Sequence, residues 1–312
     1  MTHVEYAPIE LEHGFDLAQS VIREHLGSAP TRLERATGGL RNLVYQVDHP
    51  EGAFVIRISN IPTKAKVFQK EQTVTSKVRS LGIPAPEVVH VGTGPDGLPY
   101  MLQVRSAGNE ASMHAQRVGI LREMGRYAAL IHSIRTRGFG HDFGWADEAG
   151  PAPTWLEFLH DELNLDARLS VLVDQQMIRQ LQAARLREIL LGLDDLQPPT
   201  LNHGDLRLKN VLVDEEGNVT SIIDWEDCIS SVAPQWDWSV SLHDLSIDEK
   251  QEFLVGYGAS TEAVKQLSSI TKALNILNYA PVVERQVYKG RTERLEKLKA
   301  RLCGALDLFS LD

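Results

Sequence analysis

The hydrophobic pattern of this chain differs between its first third and the remainder, and the difference restricts the fold. Between residues 31 and 104, β-branched and aromatic residues form short runs bounded by Gly, Pro, Asn or Asp, a pattern typical of strands. Beyond residue 108, apolar residues recur at intervals of three and four, which is typical of helices packed on a core. Strands followed by helices predict an α+β fold.

The strand-rich part predicts one small antiparallel sheet with a single main helix. Residues 66–80 contain no Gly or Pro and predict that helix, with Gly82 and Pro84 as stop signals behind it. A further helix is predicted before the first strand. The strand-like runs are LERATGG, LVYQVDH, GAFVIRIS, PEVVHVG and LPYMLQV.

The second part predicts long helices and one β-like insert. The insert, residues 201–224, has the pattern of strand, turn and strand, with Glu-Glu-Gly-Asn as the turn. We predict two lobes, residues 1–104 and 105–312, with a connector near 103–108 and a ligand site in the cleft between the lobes. The predicted helices cover residues 114–135, 154–169, 174–193, 247–257, 261–288 and 291–309.

Charge and composition exclude several functional classes. A formal net charge of −10 argues against broad binding of nucleic acid, which depends on Lys and Arg, and suits cationic partners better. The chain lacks an uninterrupted apolar run of about 18 residues, and its N-terminal residues are acidic where a signal peptide is basic. A cytoplasmic location without membrane contact is predicted. The two cysteines, Cys228 and Cys303, are isolated and predict neither a disulfide nor a zinc site.

The motif HGDLRLKN, followed by VLVD and IIDW, carries the chemistry. Asp205 and Asn210 lie five residues apart in a loop that enters a strand, and Asp224 ends the next strand. In an antiparallel hairpin these side chains converge at one end. Two carboxylates at close range repel each other, and a bound Mg²⁺ would compensate that cost, since it takes one or two carboxylates and leaves its other positions to water and phosphates.

The predicted roles follow from this convergence. Asn210 and Asp224 are candidate metal ligands, while Asp205 remains available to accept a hydrogen bond from an attacking hydroxyl. Arg207, two residues after this candidate base, is placed to stabilise the oxygens of a transferring phosphoryl group.

At this point the residues resemble a known family. HGDLRLKNVLVD and SIIDW resemble the catalytic and metal motifs of the aminoglycoside phosphotransferase and choline kinase-like family, which has the protein-kinase-like fold. ATGGLRNLVYQV, residues 36–47, is similar to that family's nucleotide-covering glycine loop, and LGIPAPEVV is also typical. The resemblance extends from about residue 31 to residue 239 and implies a bilobal fold with a small sheet lobe and a large helical lobe.

The resemblance also implies a nucleotide site in the first lobe. Arg57 in FVIRIS stands where the fold usually has a phosphate-binding Lys, and Glu71 fits the acidic partner of that side chain. YMLQV is similar to the connector whose backbone holds adenine. The implied cofactors are ATP, or GTP, and Mg²⁺. The implied nucleotide-binding residues are Gly38, Gly39, Asn42, Arg57, Glu71, Gln103 and Arg105.

Two positions depart from the family pattern. Arg57 replaces the usual Lys and puts a planar fork where a point charge would sit. Arg207 stands where many antibiotic-modifying members have His, which leaves the mechanism intact and weakens the case for an antibiotic as substrate.

Polar residues around the motif have structural and functional interpretations. We predict that His203 fixes the loop through backbone hydrogen bonds. We also predict that the side chain of Asp237 tethers the loop by accepting hydrogen bonds from the loop's backbone amides, and this second prediction rests partly on the resemblance. His132 and the pair Trp155 and Phe158 lie on helical stripes and are predicted to be core residues. An acidic set is a candidate site for a cationic acceptor or, equally, a solvated surface: Glu226, Asp227, Glu157, Asp161 and Glu162.

The prediction is therefore a phosphotransferase that moves the γ-phosphate of ATP to a hydroxyl of a small molecule. An aminoglycoside-like antibiotic, an amino alcohol, a sugar or a related metabolite all fit, because the C-terminal helices carry no decodable motif. Two rivals stay open, a nucleotidyl transferase and a nucleotide-binding pseudokinase. A protein kinase is disfavoured because no DFG-to-APE activation segment is found. The sequence does not indicate an oligomeric state.

Overall fold

A computed structural model describes residues 11–36, 42–150, 152–193 and 198–307. The strands are β1 (Arg32–Arg35), β2 (Leu43–His49), β3 (Gly52–Ile58), β4 (Val88–Thr93), β5 (Pro99–Val104), β6 (Asn109–Glu110), β7 (Thr136–Arg137), β8 (Gly144–Trp145), β9 (Thr200–Asn202), β10 (Val211–Val213), β11 (Val219–Ile222) and β12 (Ile229–Ser231). The α-helices are α1 (Leu11–Leu26), α2 (Lys64–Ser80), α3 (Arg117–His132), α4 (Trp155–Glu157), α5 (Leu165–Asp174), α6 (Gln180–Leu191), α7 (Gln235–Ser241), α8 (Ile247–Tyr257), α9 (Thr261–Tyr288) and α10 (Thr292–Asp307).

The chain divides into two compact units. The first comprises Met1–Ser112 and Lys209–Glu226, and the second comprises Met113–Leu208 and Asp227–Asp312. The lobe boundary expected after residue 104 stays a prediction. The units separate eight residues later, and the hairpin of β10 and β11, which was predicted inside the helical lobe, belongs to the first unit.

The first unit contains the predicted five-stranded sheet. Its order is β1-β2-β3-β5-β4, with every neighbouring pair antiparallel. Helix α1 and one face of this sheet share an apolar core. Helix α2 begins two residues earlier than predicted, directly after Pro62 and Thr63, and ends at Ser80 as predicted. Gly82, the expected stop signal, follows it with a positive φ of 77°, which suits a residue without a side chain.

The predicted hairpin forms, and it gains a third strand. Strands β10 and β11 are antiparallel, with Val211 opposite Ile222, and β6 pairs with the other edge of β10. A strand of two residues, such as β6, gives no periodic signal in the sequence. All three strands lie in the first unit.

The second unit is mainly helical, and two of its helices have the predicted bounds, α8 and α9. The predicted helix 154–169 is instead broken. A π-helical turn, Phe158–Glu162, follows α4, and Asn164 at φ 53° precedes α5. Phe158 packs against Trp155 and Trp236 in the core of this unit, as predicted for the Trp155–Phe158 pair. Within the described ranges, none of the helices has the length and apolar character that crossing a membrane requires.

Candidate active site

The predicted metal ligands lie at one end of the hairpin in the first unit. Asn210 directly precedes β10 and is 5% exposed, and Asp224 follows β11 by two residues. The N–H of Ile223 donates to the backbone oxygen of Asn210 at 2.8 Å, which keeps the two strand ends together. Asp224 adopts a left-handed backbone conformation, with φ 67°, which is uncommon for residues with a side chain although Asp tolerates it better than most.

This end of the hairpin has suitable donors for Mg²⁺. No cluster of three or more His, Cys, Asp or Glu side chains that could hold a metal occurs in the described part of the chain. Mg²⁺ needs no such cluster, because it takes one or two carboxylates with water and phosphate oxygens as further ligands. The amide oxygen of Asn210 and the carboxylate of Asp224 are hard oxygen donors of that kind. Their role as metal ligands stays a prediction.

A buried charge network forms the other part of the site in the first unit. Arg57 Nη1 donates to Glu71 Oε1 at 2.7 Å, so the side chain on β3 and its expected partner on α2 do form an ion pair. Arg57 Nη2 donates to Glu226 Oε2 at 2.8 Å. Lys64 Nζ donates to the same carboxylate oxygen at 2.9 Å, and Asn42 Nδ2 lies 3.5 Å from it. Glu226 is thus enclosed by cationic and amide donors.

The network keeps Arg57 charged. Burial alone lowers the pKa of Arg57, but the carboxylates of Glu71, Glu226 and Asp224 outweigh burial and raise that pKa above its ordinary value. The guanidinium also lies 5.3 Å from the centroid of the Phe68 ring, a cation–π contact. The planar fork of an Arg can bond two carboxylates at once, which the single ammonium of a Lys does with less definite geometry.

The remaining predicted nucleotide residues are placed separately. Gly38 and Gly39 lie outside the described residues. Gln103 lies in β5 opposite Val55, and Arg105, just beyond β5, donates from Nη2 to Asp48 at 2.6 Å. The structure therefore brings Asn42 and Arg57 to Glu226 and pairs Glu71 with Arg57. The adenine contacts expected at 103–105 stay predictions.

The loop that was predicted to be catalytic, residues 203–208, belongs to the second unit. Asp205 is 9% exposed, and its Oδ1 accepts a hydrogen bond from Arg207 Nε at 2.5 Å. His203 Nδ1 accepts from the backbone N–H of Asp205 at 3.3 Å, so His203 fixes the loop as predicted. The ion pair of Arg207 with Asp205 fixes the orientation of the carboxylate.

Asp237 anchors this loop. Its Oδ2 accepts from the backbone N–H of His203 at 2.9 Å and its Oδ1 accepts from the N–H of Gly204 at 2.8 Å, which confirms the predicted tether. Gly204 has φ 82°, and a Cβ there would overlap the carbonyl oxygen of Asp227, so only glycine fits. The loop that presents Asp205 therefore depends on one buried carboxylate and one glycine.

Two further side chains extend this anchor, and sequence reasoning missed their role. His132, predicted as a core residue, is buried, but its Nε2 lies 3.0 Å from Asp237 Oδ2 and its Nδ1 lies 3.0 Å from the hydroxyl of Tyr257. A His132 protonated on Nε2 donates to Asp237 and accepts from Tyr257, which satisfies all three groups. Spacing marked His132 only as part of a helical stripe, and nothing local linked it to a position 105 residues away.

Burial and hydrogen bonding act in opposite directions on the charges of this anchor. Burial alone raises the pKa of Asp237, but hydrogen bonds and charge interactions with His132 and His203 outweigh it and lower that pKa below its ordinary value. Burial, reinforced by Asp237, raises the pKa of Tyr257 far above its usual range, so the phenol keeps its proton.

The acidic residues considered for the acceptor each have a partner within the chain. Glu157 caps its own helix through Thr154, Asp161 pairs with His160, and Glu162 pairs with His141. Glu226 belongs to the cation network described above. Binding of an acceptor by these residues or by Asp227 stays a prediction.

With this geometry in place, comparison with known proteins defines the class. The phosphotransferase enzyme family matches this chain over residues 32–267. Hygromycin-B 4-O-kinase from Escherichia coli is 26% identical over 213 residues, which cover 63% of this chain and 58% of that kinase. The alignment thus spans less than two thirds of the relative's length.

Solved structures show the same fold. A thermostable mutant of aminoglycoside phosphotransferase APH(4)-Ia, in ternary complex with AMP-PNP and hygromycin B, superposes with a TM-score of 0.66 at 19% identity, covering 94% of this chain and 99% of that one. A putative fructosamine-3-kinase from Haemophilus somnus 129PT gives a TM-score of 0.63 at 14% identity, covering 93% of this chain and 97% of that one.

The chain belongs to the phosphotransferase enzyme family, and its fold is the α+β protein-kinase-like fold of the aminoglycoside phosphotransferases.

Proposed function

We propose that this protein is an ATP-dependent kinase that phosphorylates a hydroxyl group of a small molecule. The observation that carries the proposal is the catalytic loop, in which the carboxylate of Asp205 is oriented by Arg207 while Asp237 holds the loop backbone. A positioned carboxylate of this kind is the base that phosphoryl transfer requires. Membership of a phosphotransferase family supports the same reaction.

The proposed reaction assigns one task to each group. Asp205 accepts the proton of the acceptor hydroxyl, and the hydroxyl oxygen forms a bond to the γ-phosphorus of ATP. The bond from that phosphorus to the oxygen that bridges it to the β-phosphate breaks, which releases ADP. Arg207 stabilises the charge on the transferring oxygens. Arg57, positioned by Glu71, binds the phosphates of ATP.

Mg²⁺ would be held by Asn210 and Asp224. When bound, the ion neutralises charge on the phosphate oxygens. The support for this assignment is the pair of oxygen donors at one end of the hairpin, where the backbone hydrogen bond from Ile223 to Asn210 keeps the two strand ends together. An Asp224→Ala protein should lose its Mg²⁺-dependent ATP affinity, and unchanged affinity would refute the assignment.

For the acceptor we propose an aminoglycoside as the first candidate class. The relative of similar sequence is a kinase for hygromycin B, and the similar structure binds that compound. Arg207 in place of the His common in antibiotic-modifying members keeps amino alcohols, sugars and related metabolites in the panel. The chain's net charge of −10 suits a cationic acceptor.

The test is an assay of the purified chain with Mg·ATP, hygromycin B and a panel of hydroxylated amines and sugars. A product that gains one phosphoryl group supports the proposal, and a product that gains AMP identifies a nucleotidyl transferase. The matched control is Asp205→Asn, which we expect to lower kcat by roughly 10²–10⁴-fold with little change in ATP affinity. Nucleotide binding without turnover on any acceptor would favour the pseudokinase.

A further inference from the structure

One carboxylate in the first unit is surrounded by donors that suit a phosphate group. The side chains of Arg57, Lys64 and Glu226 are only 11%, 12% and 7% exposed, respectively. Both cations donate to the same oxygen, Glu226 Oε2, at 2.8 and 2.9 Å, and Asn42 Nδ2 is the third donor, at 3.5 Å. Two nearly buried cations and an amide that converge on one anionic oxygen reproduce the donor set of a phosphate site.

The carboxylate is an unusual partner for these cations. Arg57 already forms an ion pair with one oxygen of Glu71, so Glu226 adds a second acidic group to the same guanidinium. Asp224 lies close enough for its charge to act on Arg57 as well. Three carboxylates already lie around Arg57 and Lys64, so a further anion could bind these cations only if one of the carboxylates moved away.

The backbone near Glu226 is fixed, so an exchange would move only the side chain. The preceding residue, Trp225, is fully buried, and its indole N–H donates to the backbone oxygen of Ile222 at 2.7 Å. Lys70 Nζ lies 3.3 Å from the backbone oxygen of Glu226. Rotation of the Glu226 side chain would release both cations without any change in the strand ends.

We propose that Lys64 and Arg57 form a phosphate-binding pair for the nucleotide and that Glu226 occupies this anion site until the phosphate displaces it. The inference rests on the proposed kinase function and adds Lys64 to its nucleotide-binding residues. Glu226 is then an internal competitor that keeps the two cations in position, rather than a contact for the acceptor.

The experiment measures binding of ATP and of inorganic tripolyphosphate to the full chain by calorimetry, in EDTA and in Mg²⁺. Lys64→Met should weaken both ligands by about tenfold, because one charge-assisted phosphate contact is lost. Lys66→Met is the matched control. Lys66 lies in the same helical turn but is exposed, and its removal should change affinity by no more than about twofold.

Glu226→Gln tests the competition directly. Without the carboxylate of Glu226, metal-free tripolyphosphate should bind about tenfold tighter, because the anion site of the protein is no longer occupied by an internal anion. In a Lys64→Met background the same change should give a smaller gain. Equal affinities of the Lys64 and Lys66 variants would overturn the inference. Weaker Mg·ATP binding by Glu226→Gln with no gain for metal-free tripolyphosphate would also overturn it and would identify Glu226 as a metal ligand.

These outcomes separate the inference from the proposed function. If the unaltered chain binds ATP and phosphorylates an acceptor while Lys64→Met behaves like Lys66→Met, only the inference fails. If the unaltered chain binds neither ATP nor tripolyphosphate, both fail. Should Glu226→Gln not fold, as a thermal melt would show, the comparison of the Lys64 and Lys66 variants alone decides.

Discussion

The predicted site residues of the first unit and those of the second unit are held by different physical means. In the first unit, Arg57 is held by ion pairs with Glu71 and Glu226. In the second unit, the loop that carries Asp205 is held by its own backbone N–H groups, which donate to the carboxylate of Asp237. Charges can be exchanged for other charges, such as phosphates, whereas backbone amides bound to a buried carboxylate fix one geometry. The difference matches the proposed tasks, which are ligand exchange by the Arg57 network of the first unit and rigid presentation of a base by the Asp205 loop of the second unit.

The largest effect on stability should come from Asp237, which holds the Asp205 loop of the second unit through backbone amides. Asp237→Asn removes a buried negative charge from two backbone N–H donors and from His132, and we expect a loss of about 3–5 kcal/mol in the free energy of unfolding. Chemical denaturation at pH 7 measures this loss. Asp244→Asn, at an exposed position in the same unit, is the control and should change stability by less than about 0.5 kcal/mol.

The same variant gives a test by pH. Because the pKa of Asp237 is lowered in the folded protein, its stabilising contribution is complete above the ordinary value, near 4, and is lost as pH falls through the folded value. The stability difference between the unaltered chain and Asp237→Asn should therefore shrink below about pH 4. A difference that stays constant down to pH 2 would show that the charge of Asp237 does not anchor the loop.

A change in the Arg57 network of the first unit should lower stability somewhat less. Glu71→Gln removes one of the two carboxylates on Arg57, and we expect a loss of about 3 kcal/mol in unfolding free energy and weaker ATP binding, because Arg57 loses the partner that orients it. Glu87→Gln breaks the exposed ion pair with Arg79 and serves as control, with an expected loss of at most about 1 kcal/mol. Equal losses in both variants would contradict the buried network as a determinant of stability.

The helix contact that brings Tyr257 to His132 gives a third test. A Cβ on Gly125 in α3 would overlap backbone atoms of Phe253 in α8, so Gly125→Ala should cost about 3 kcal/mol and separate the helices. Gly119 lies in the same helix with open space around it, and Gly119→Ala should stabilise by about 0.5–1 kcal/mol. Thermal melts compare the two. Equal signs would show that the close approach of α3 and α8 does not limit stability.

The smallest effect on stability is expected from Tyr257, the last residue in the chain of hydrogen bonds that runs from Asp237 through His132. Tyr257→Phe removes only the hydroxyl that donates to His132, and we expect a loss of about 1 kcal/mol and a few-fold fall in kcat without a change in KM for ATP. The exposed Tyr288→Phe is the control. A fall in ATP affinity equal to the fall in kcat would assign Tyr257 a general structural role instead.

Local patterns were sufficient for the elements with strong periodicity. The five-stranded sheet, α2, α8, α9 and the hairpin of β10 and β11 were all predicted, because alternation and three-to-four spacing are visible within a short window. The helix predicted over 154–169 was wrong in its middle. Packing of Phe158 against Trp155 and Trp236 accompanies a π-helical turn there, and such tertiary preferences leave no local signal.

The candidate site divides in the same way. The motif HGDLRLKN and the strand ending in IIDW indicated Asp205, Asn210 and Asp224, and the family resemblance indicated Arg57 and Glu71. The roles of Lys64, His132 and Tyr257 were not foreseen, since their partners lie far away in the chain. Glu226 was assigned to the acceptor because its neighbours in sequence are acidic, and its neighbours in space are cations.

By itself, the sequence determined the fold class and the chemical identity of the groups available for phosphoryl transfer, because periodicity and motif spacing are properties of contiguous residues. Only the tertiary structure decided which carboxylate meets which cation, since strands and helices distant in the chain supply the two partners. The ion pairs of Glu226 with Arg57 and Lys64, and the anchor from Tyr257 through His132 to Asp237, are of that second kind.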